Sequence, residues 1–221
     1  EYNLDWFKSK PFLITEDNQI LYSISNLYGS KLIKSDLITG EFETLESSIK
    51  EDLKNKFQFS KIIYPTTNDS IGIMAGIESY YYKPTKSPHE KMPVVIDLHG
   101  GPSMPAFPFQ FPLGDYLIDK GIAVISPNFR GSAGYGVSFE ASDNGANRLK
   151  QVEDIKALLD WIKTQPDLDA KKVLLIGASH GGYMAMGALT QYPGQFLGGM
   201  SLAGFAQEAA TDCVAGLFRS W

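Results

Sequence analysis

Cysteine is almost absent: Cys213 stands alone in 221 residues, so no disulfide can form within the chain. Histidine is nearly as scarce. His89, His99 and His180 are the only three, and one Cys with three scattered His has none of the spacings by which metal sites are read. Neither a structural metal nor an organic cofactor is expected. Excess positive charge is also missing, since Lys plus Arg is 20 against 25 for Asp plus Glu, a net charge of −5. Such a surface has no electrostatic footprint for a phosphate backbone, and nucleic acid is not an expected partner. No uninterrupted apolar run approaches the roughly 18 residues needed to cross a bilayer, and no leader pattern opens the chain, so no membrane partner is expected. Residue 1 is Glu rather than Met, so the natural amino terminus is expected to lie upstream. A cytoplasmic protein is expected, with a periplasmic or secreted one left open.

What is present is the composition of an ordinary globular protein, 43% apolar and 20% charged. The stretch to about residue 50 reads as short strands with turn chemistry between them. Ile20 to Ser25 and Lys31 to Leu37 flank Asn26-Leu27-Tyr28-Gly29-Ser30, a hairpin signal, and Thr39-Gly40-Glu41 turns the chain into Phe42 to Leu45. A meander of this kind needs a neighbouring sheet and suits one propeller blade, although an arbitrary meander fits the pattern equally.

From Lys61 strands alternate with helices, the grammar of a parallel sheet with covered faces. Pro93-Val94-Val95-Ile96-Asp97-Leu98 reads as a strand buried on both sides, ending in His99-Gly100-Gly101-Pro102. A helix near Leu113 to Lys120 closes at Gly121, and Ile122 to Ile125 supplies the next strand. Val152, Ile155, Leu158, Leu159 and Ile162 then recur at helical spacing with charged residues between them. Val173-Leu174-Leu175-Ile176 is a further buried strand, which runs straight into Gly177-Ala178-Ser179-His180-Gly181-Gly182 and a helix of small residues.

Gly177-Ala178-Ser179-His180-Gly181 matches Gly-x-Ser-x-Gly, the turn that lifts a nucleophilic serine above a sheet edge, and it stands between a strand and a helix as that turn requires. Its glycines sit where a Cβ would collide with neighbouring backbone. Acyl transfer also needs donors for the oxyanion of the tetrahedral intermediate. One is expected from the backbone N–H of His180, the residue after the serine, and the second from His99-Gly100-Gly101, with Gly101 the chosen donor. No role is expected for the His180 imidazole. The alternative for the glycine loop is a tight turn that merely ends a strand.

A base and its orienting acid are not found. They should follow the serine in that order, yet His180 is the last histidine, while His89 and His99 precede Ser179. Asp212 comes too early after the strand at Leu197 to Leu202 and reads as a solvated surface residue. The chain is therefore expected to stop inside its own catalytic domain.

Four segments in order, His99-Gly100-Gly101-Pro102, Asn128 to Gly136, Glu153-Asp154-Ile155 and Gly177 to Tyr183, resemble the prolyl oligopeptidase family, its acylaminoacyl-peptidase branch most closely. The resemblance covers roughly residues 60 to 205. It implies an α/β-hydrolase fold, an incomplete parallel-type sheet with helices on both faces, over residues 59–221, truncated after the nucleophile region. Residues 1–58 would be the end of a β-propeller domain, about one blade, that gates the active site. It further implies a serine peptidase acting on short peptides or acylated amino acids through an acyl-enzyme at Ser179, with Gly101 and His180 as oxyanion donors. A peptide substrate is the implied partner, and the piece alone would be inactive. Arg130 and Asp154 match family motif positions and read as structural. After Leu202, residues 203–221 no longer follow the family pattern. An esterase for small acyl esters, or a noncatalytic hydrolase-like binding module, are the competing readings.

Overall fold

The computed structural model describes residues 12–15, 17–26, 29–47, 55–66, 76–101, 103–108 and 113–204. Cys213 and Asp212 lie outside them, as do Pro102 and the hairpin residues Leu27 and Tyr28. The chain divides into two compact units, Glu1–Asn55 with Pro108–Asp115, and Lys56–Phe107 with Tyr116–Trp221.

The first unit holds a four-stranded antiparallel meander in the order β1 (Phe12–Ile14), β2 (Gln19–Asn26), β3 (Gly29–Asp36) and β4 (Phe42–Ser47). Asn26 pairs with Gly29, so β2 and β3 form the expected hairpin. Asp36 builds the second turn: its Oδ1 accepts from the N–H groups of Ile38 and Thr39, both at 2.8 Å, and its carbonyl accepts from Gly40. Short polar side chains at turn starts act in this way, which is why Asp-x-x-x-Gly reads as a turn. Leu21 and Ile33 are buried, whereas β4 is exposed along its whole length.

The second unit is a six-stranded sheet in the order β10-β9-β7-β8-β6-β5. Its strands are β5 (Phe57–Tyr64), β6 (Ile77–Pro84), β7 (Met92–Leu98), β8 (Ala123–Pro127), β9 (Leu168–Ala178) and β10 (Gly198–Leu202), and β7 to β10 run parallel. The opening differs from a purely parallel expectation, because β5 pairs antiparallel with β6, and β6 antiparallel with β8. The reason lies in the connection from Pro84 to Met92. It contains no helix, and a short link cannot carry the chain back to the end of the sheet from which a parallel strand must start.

Three helices serve the parallel part: α1 (Gly114–Asp119), α3 (Lys150–Thr164) and α4 (His180–Gln191), with a short α2 (Val137–Glu140) before α3. From β7 through α1 the chain steps one way to β8, and through α3 it steps back past β7 to β9. Right-handed crossovers therefore put α1 on one face and α3 and α4 on the other. On the latter face Val94, Ile96, Leu98, Ile125, Val173 and Leu175 meet the buried side of α3 (Val152, Ile155, Leu158, Leu159, Ile162) and Met184, Ala185 and Ala188 of α4. Among the described residues no helix is long and apolar enough to cross a membrane.

Candidate active site

β9 ends at Ala178, and the chain turns through Ser179 into α4. Ser179 has φ 53° and ψ −117°. Such a backbone is sparsely populated for any residue with a Cβ, costs about 1–3 kcal/mol, and persists only where its surroundings over-determine it. Here they do. The Ser179 N–H donates to the Leu202 carbonyl at 2.8 Å, and the Ser179 carbonyl accepts from the Tyr183 N–H at 3.1 Å. A Cβ at Gly177 would lie 2.2 Å from the Gly181 carbonyl, and one at Gly181 would lie 2.0 Å from the Leu98 carbonyl oxygen. Both glycines are thus required by contact with backbone that cannot move aside. Ser179 itself is exposed at the edge of the sheet.

Strand β7 runs beside β9 with Leu98 paired to Gly177, so His99-Gly100-Gly101 emerges next to the turn. A Cβ on Gly100 would come 3.1 Å from the Ala178 carbonyl oxygen and 3.5 Å from the Ser179 Cβ. Gly101 follows at φ 55°. The loop beyond is pinned where the Ala106 N–H donates to Asn128 Oδ1 at 2.7 Å and the Ala133 N–H to the Ser103 carbonyl at 3.1 Å. His180 is the first residue of α4, where the N–H groups of the opening turn and the helix dipole favour negative charge. The two loops named from the sequence therefore do meet around Ser179.

The imidazoles of these loops are turned elsewhere. His99 stacks on Phe129 with ring centroids 4.1 Å apart, and its Nε2 meets Ser132 Oγ at 2.9 Å. Its Nδ1 lies 3.2 Å from the Gly100 carbonyl, and the Ser132 hydroxyl also reaches the Phe129 carbonyl at 2.7 Å. Burial pushes His99 down to about 4. The His180 ring is buried, with Nε2 at 2.7 Å from Gln151 Oε1. Burial, reinforced by the positive charge of Arg148, pushes it down to about 3. Both rings are neutral at physiological pH. His89 lies exposed in the link before β7.

A family model described as the prolyl oligopeptidase family matches residues 110–220. The chain belongs to the prolyl oligopeptidase family. Acylamino-acid-releasing enzyme 2 of Oryza sativa subsp. japonica is 30% identical over 149 residues, 66% of this chain and 19% of that protein. Dipeptidyl aminopeptidase BIII of Pseudoxanthomonas mexicana is 33% identical over 113 residues, 51% of this chain and 16% of that protein. The chain thus spans less than a fifth of the length of these curated relatives. Among solved structures, prolyl oligopeptidase B from Galerina marginata superposes with a TM-score of 0.73 at 19% identity, over 86% of this chain and 27% of that one. Pyrococcus horikoshii acylaminoacyl peptidase gives 0.69 at 24% identity, over 88% and 30%. These likenesses show the α/β fold.

Behind the turn, this prolyl oligopeptidase family member carries a buried polar network that the sequence reading found only in part. Arg130 and Asp154 form a two-pronged ion pair, Nη2 to Oδ1 at 2.6 Å and Nε to Oδ2 at 2.9 Å, and the Arg130 N–H adds a third bond to Oδ2 at 3.0 Å. Thr66 donates to Asp154 Oδ1 at 2.7 Å. Gln151, Asp143 and Thr66 lie outside the four motif segments. For Gln151 a signal existed: it precedes Ile155, Leu158 and Ile162 at spacings of four, seven and eleven, a polar residue on an apolar stripe. Among the described residues no group of three or more His, Cys, Asp or Glu is arranged to hold a metal ion.

Proposed function

We propose that Ser179 is the nucleophile of a serine peptidase that hydrolyses short peptides or acylated amino acids, without metal or organic cofactor. The Ser179 oxygen attacks the scissile carbonyl, and the N–H groups of Gly101 and His180 receive the negative charge on the carbonyl oxygen. Collapse of the tetrahedral intermediate expels the amine and leaves an ester on Ser179, which water then hydrolyses. The observation that carries this reading is the backbone of Ser179, held at φ 53° and exposed, with Gly100 directly against it. A strained conformation at a solvent-facing serine serves presentation of its hydroxyl, since packing alone gives no reason for it. The names of the relatives, which release acylamino acids or dipeptides, support peptides as the substrate class.

Proton transfer needs a base that neither ring beside Ser179 supplies, because His99, half-buried, is engaged with Ser132 and His180, buried, with Gln151. In a protein of the relatives' length an acid and a histidine beyond these residues would complete the site, and the 221 residues by themselves would be inactive. The β1–β4 meander, in this reading, is the last blade of a propeller that limits entry to small substrates. Treatment of the full-length protein with a fluorophosphonate, followed by peptide mass spectrometry, is expected to find one adduct, on Ser179. An adduct on any other residue overturns the assignment, and a labelled protein that cleaves small esters but no peptide overturns the substrate class.

A further inference from the structure

The sequence reading gives the His180 side chain nothing to do, yet its surroundings are unusually specific. The ring is 1% exposed and sits between Phe129, centroid 6.1 Å away, and Tyr183 at 5.6 Å. Its Nε2 faces Gln151 Oε1 at 2.7 Å. Gln151 stands in the first turn of α3, fully buried, and its amide is used completely. The Nε2 group donates to the Arg130 carbonyl at 2.8 Å and to Asp143 Oδ2 at 3.0 Å. Two acceptors on one side fix which end of the amide is nitrogen, so Oε1 must face His180, and His180 must carry its proton on Nε2. Arg130 is itself clamped to Asp154, and Asp143 lies 3.6 Å from Arg148. One side chain thus ties the start of α4 to a loop that cannot easily shift.

We infer that Gln151 is a positioning residue for the oxyanion site: by holding the His180 ring it sets the orientation of the His180 backbone N–H relative to Ser179. The inference rests on the reading of Ser179 as nucleophile and His180 as donor. Its physical basis is that a residue whose ring is held at Nε2 and packed between Phe129 and Tyr183 has little freedom to rotate its own peptide. An oxyanion donor acts only when it is aimed at the charge that develops in the transition state. Gln151 touches no substrate. Its effect should therefore appear in turnover and not in ground-state binding.

The test uses Gln151→Leu, His180→Phe and the double variant of the full-length protein, with kcat and KM measured on an aminoacyl chromogenic substrate. Removal of a whole oxyanion donor costs about 10²–10³ in kcat, and a misdirected one is expected to cost about ten- to a hundredfold. Each single variant should lose that much in kcat with KM within about twofold. The double variant should lose no more than the worse single one, because both changes cut the same bond. Multiplying losses in the double variant, or an unchanged kcat in a folded Gln151→Leu, overturns the inference. Should Gln151→Leu fail to fold, His180→Phe decides alone: the aromatic pocket accepts its ring, and an unchanged kcat overturns the proposal. Fluorophosphonate labelling of the unmodified protein separates the two readings. An adduct elsewhere than Ser179 sinks the nucleophile assignment, whereas an adduct on Ser179 together with unchanged variant kinetics sinks only the role of Gln151.

Discussion

At the scale of single residues the site is shaped by backbone that has no room to move. Gly181 illustrates the point, since a methyl group there would press on the Leu98 carbonyl oxygen from 2.0 Å, and Leu98 is a central strand residue paired to Gly177. Gly181→Ala should destabilise the fold by about 3 kcal/mol, the upper part of the usual range for overpacking, as read from urea unfolding midpoints. A change below about 1 kcal/mol would mean that α4 can withdraw from β7 and that the turn is looser than described. Asp97 offers a different test. It lies on β7 beside Ser126, and burial raises its carboxyl from 3.8 to about 6. Between those values the folded protein holds a proton that the unfolded chain has released, so this group weakens the fold as pH rises from about 4 to about 6, and the loss is complete above that. His99 and His180 act in the opposite sense. Their folded values lie below 6.5, so the unfolded chain takes up protons first and stability falls as pH drops below about 6.5. Asp97→Asn should accordingly raise the thermal midpoint at pH 8 and leave it nearly unchanged at pH 4. An equal shift at both values would show that charge is not the cause.

At the scale of elements the clearest feature is the ion pair that links the loop after β8 to α3. Arg130 is 2% exposed and Asp154 is fully buried. Removing one partner from such a pair costs about 3–5 kcal/mol, because the other is left charged and buried. Arg130→Met is expected to fall in that range by chemical denaturation. Arg130→Met combined with Asp154→Leu should recover only part of the loss, because the Arg130 N–H and the Thr66 hydroxyl would lose their acceptor on Asp154. Full recovery would mean that those two bonds contribute nothing. This network also marks how far the sequence could be read. Arg130 and Asp154 were legible because motif position and charge drew attention to them. Gln151 was not, since a lone polar residue among Val152, Ile155 and Leu158 looks like an imperfection in a stripe until its three partners are placed around it. Those partners come from three separate stretches of chain, a kind of information that local spacing does not hold.

At the scale of the whole second unit, the parallel strands and their helices were legible because each is a short apolar run or a 3.6-residue stripe with a glycine or turn at its end. The antiparallel pair β5–β6 was not. Tyr80-Tyr81-Tyr82 is apolar on both sides of the strand and carries no alternation that would distinguish its direction. Direction is set instead by the helix-free link to β7. The Ser179 turn, by contrast, needed no tertiary information, since its glycines are demanded by contacts that the motif itself brings about.

The sheet order has one further consequence, in time rather than in space. β7 lies between β8 and β9, both made after it, and β6 pairs with β5 and β8 rather than with the strand that follows it. The pairing of β7 with β9 must wait until α1, β8 and α3 have all been made. The contact that brings the glycine loop to the serine, Leu98 against Gly177, joins residues far apart in the chain, and closing so long a loop is among the slower events in folding. A chain caught part-way therefore carries Ser179 on a slack, unstrained backbone without the glycine loop beside it. On the proposed reading, the serine becomes reactive only with the finished fold, and unfinished forms pose little danger to the peptides around them.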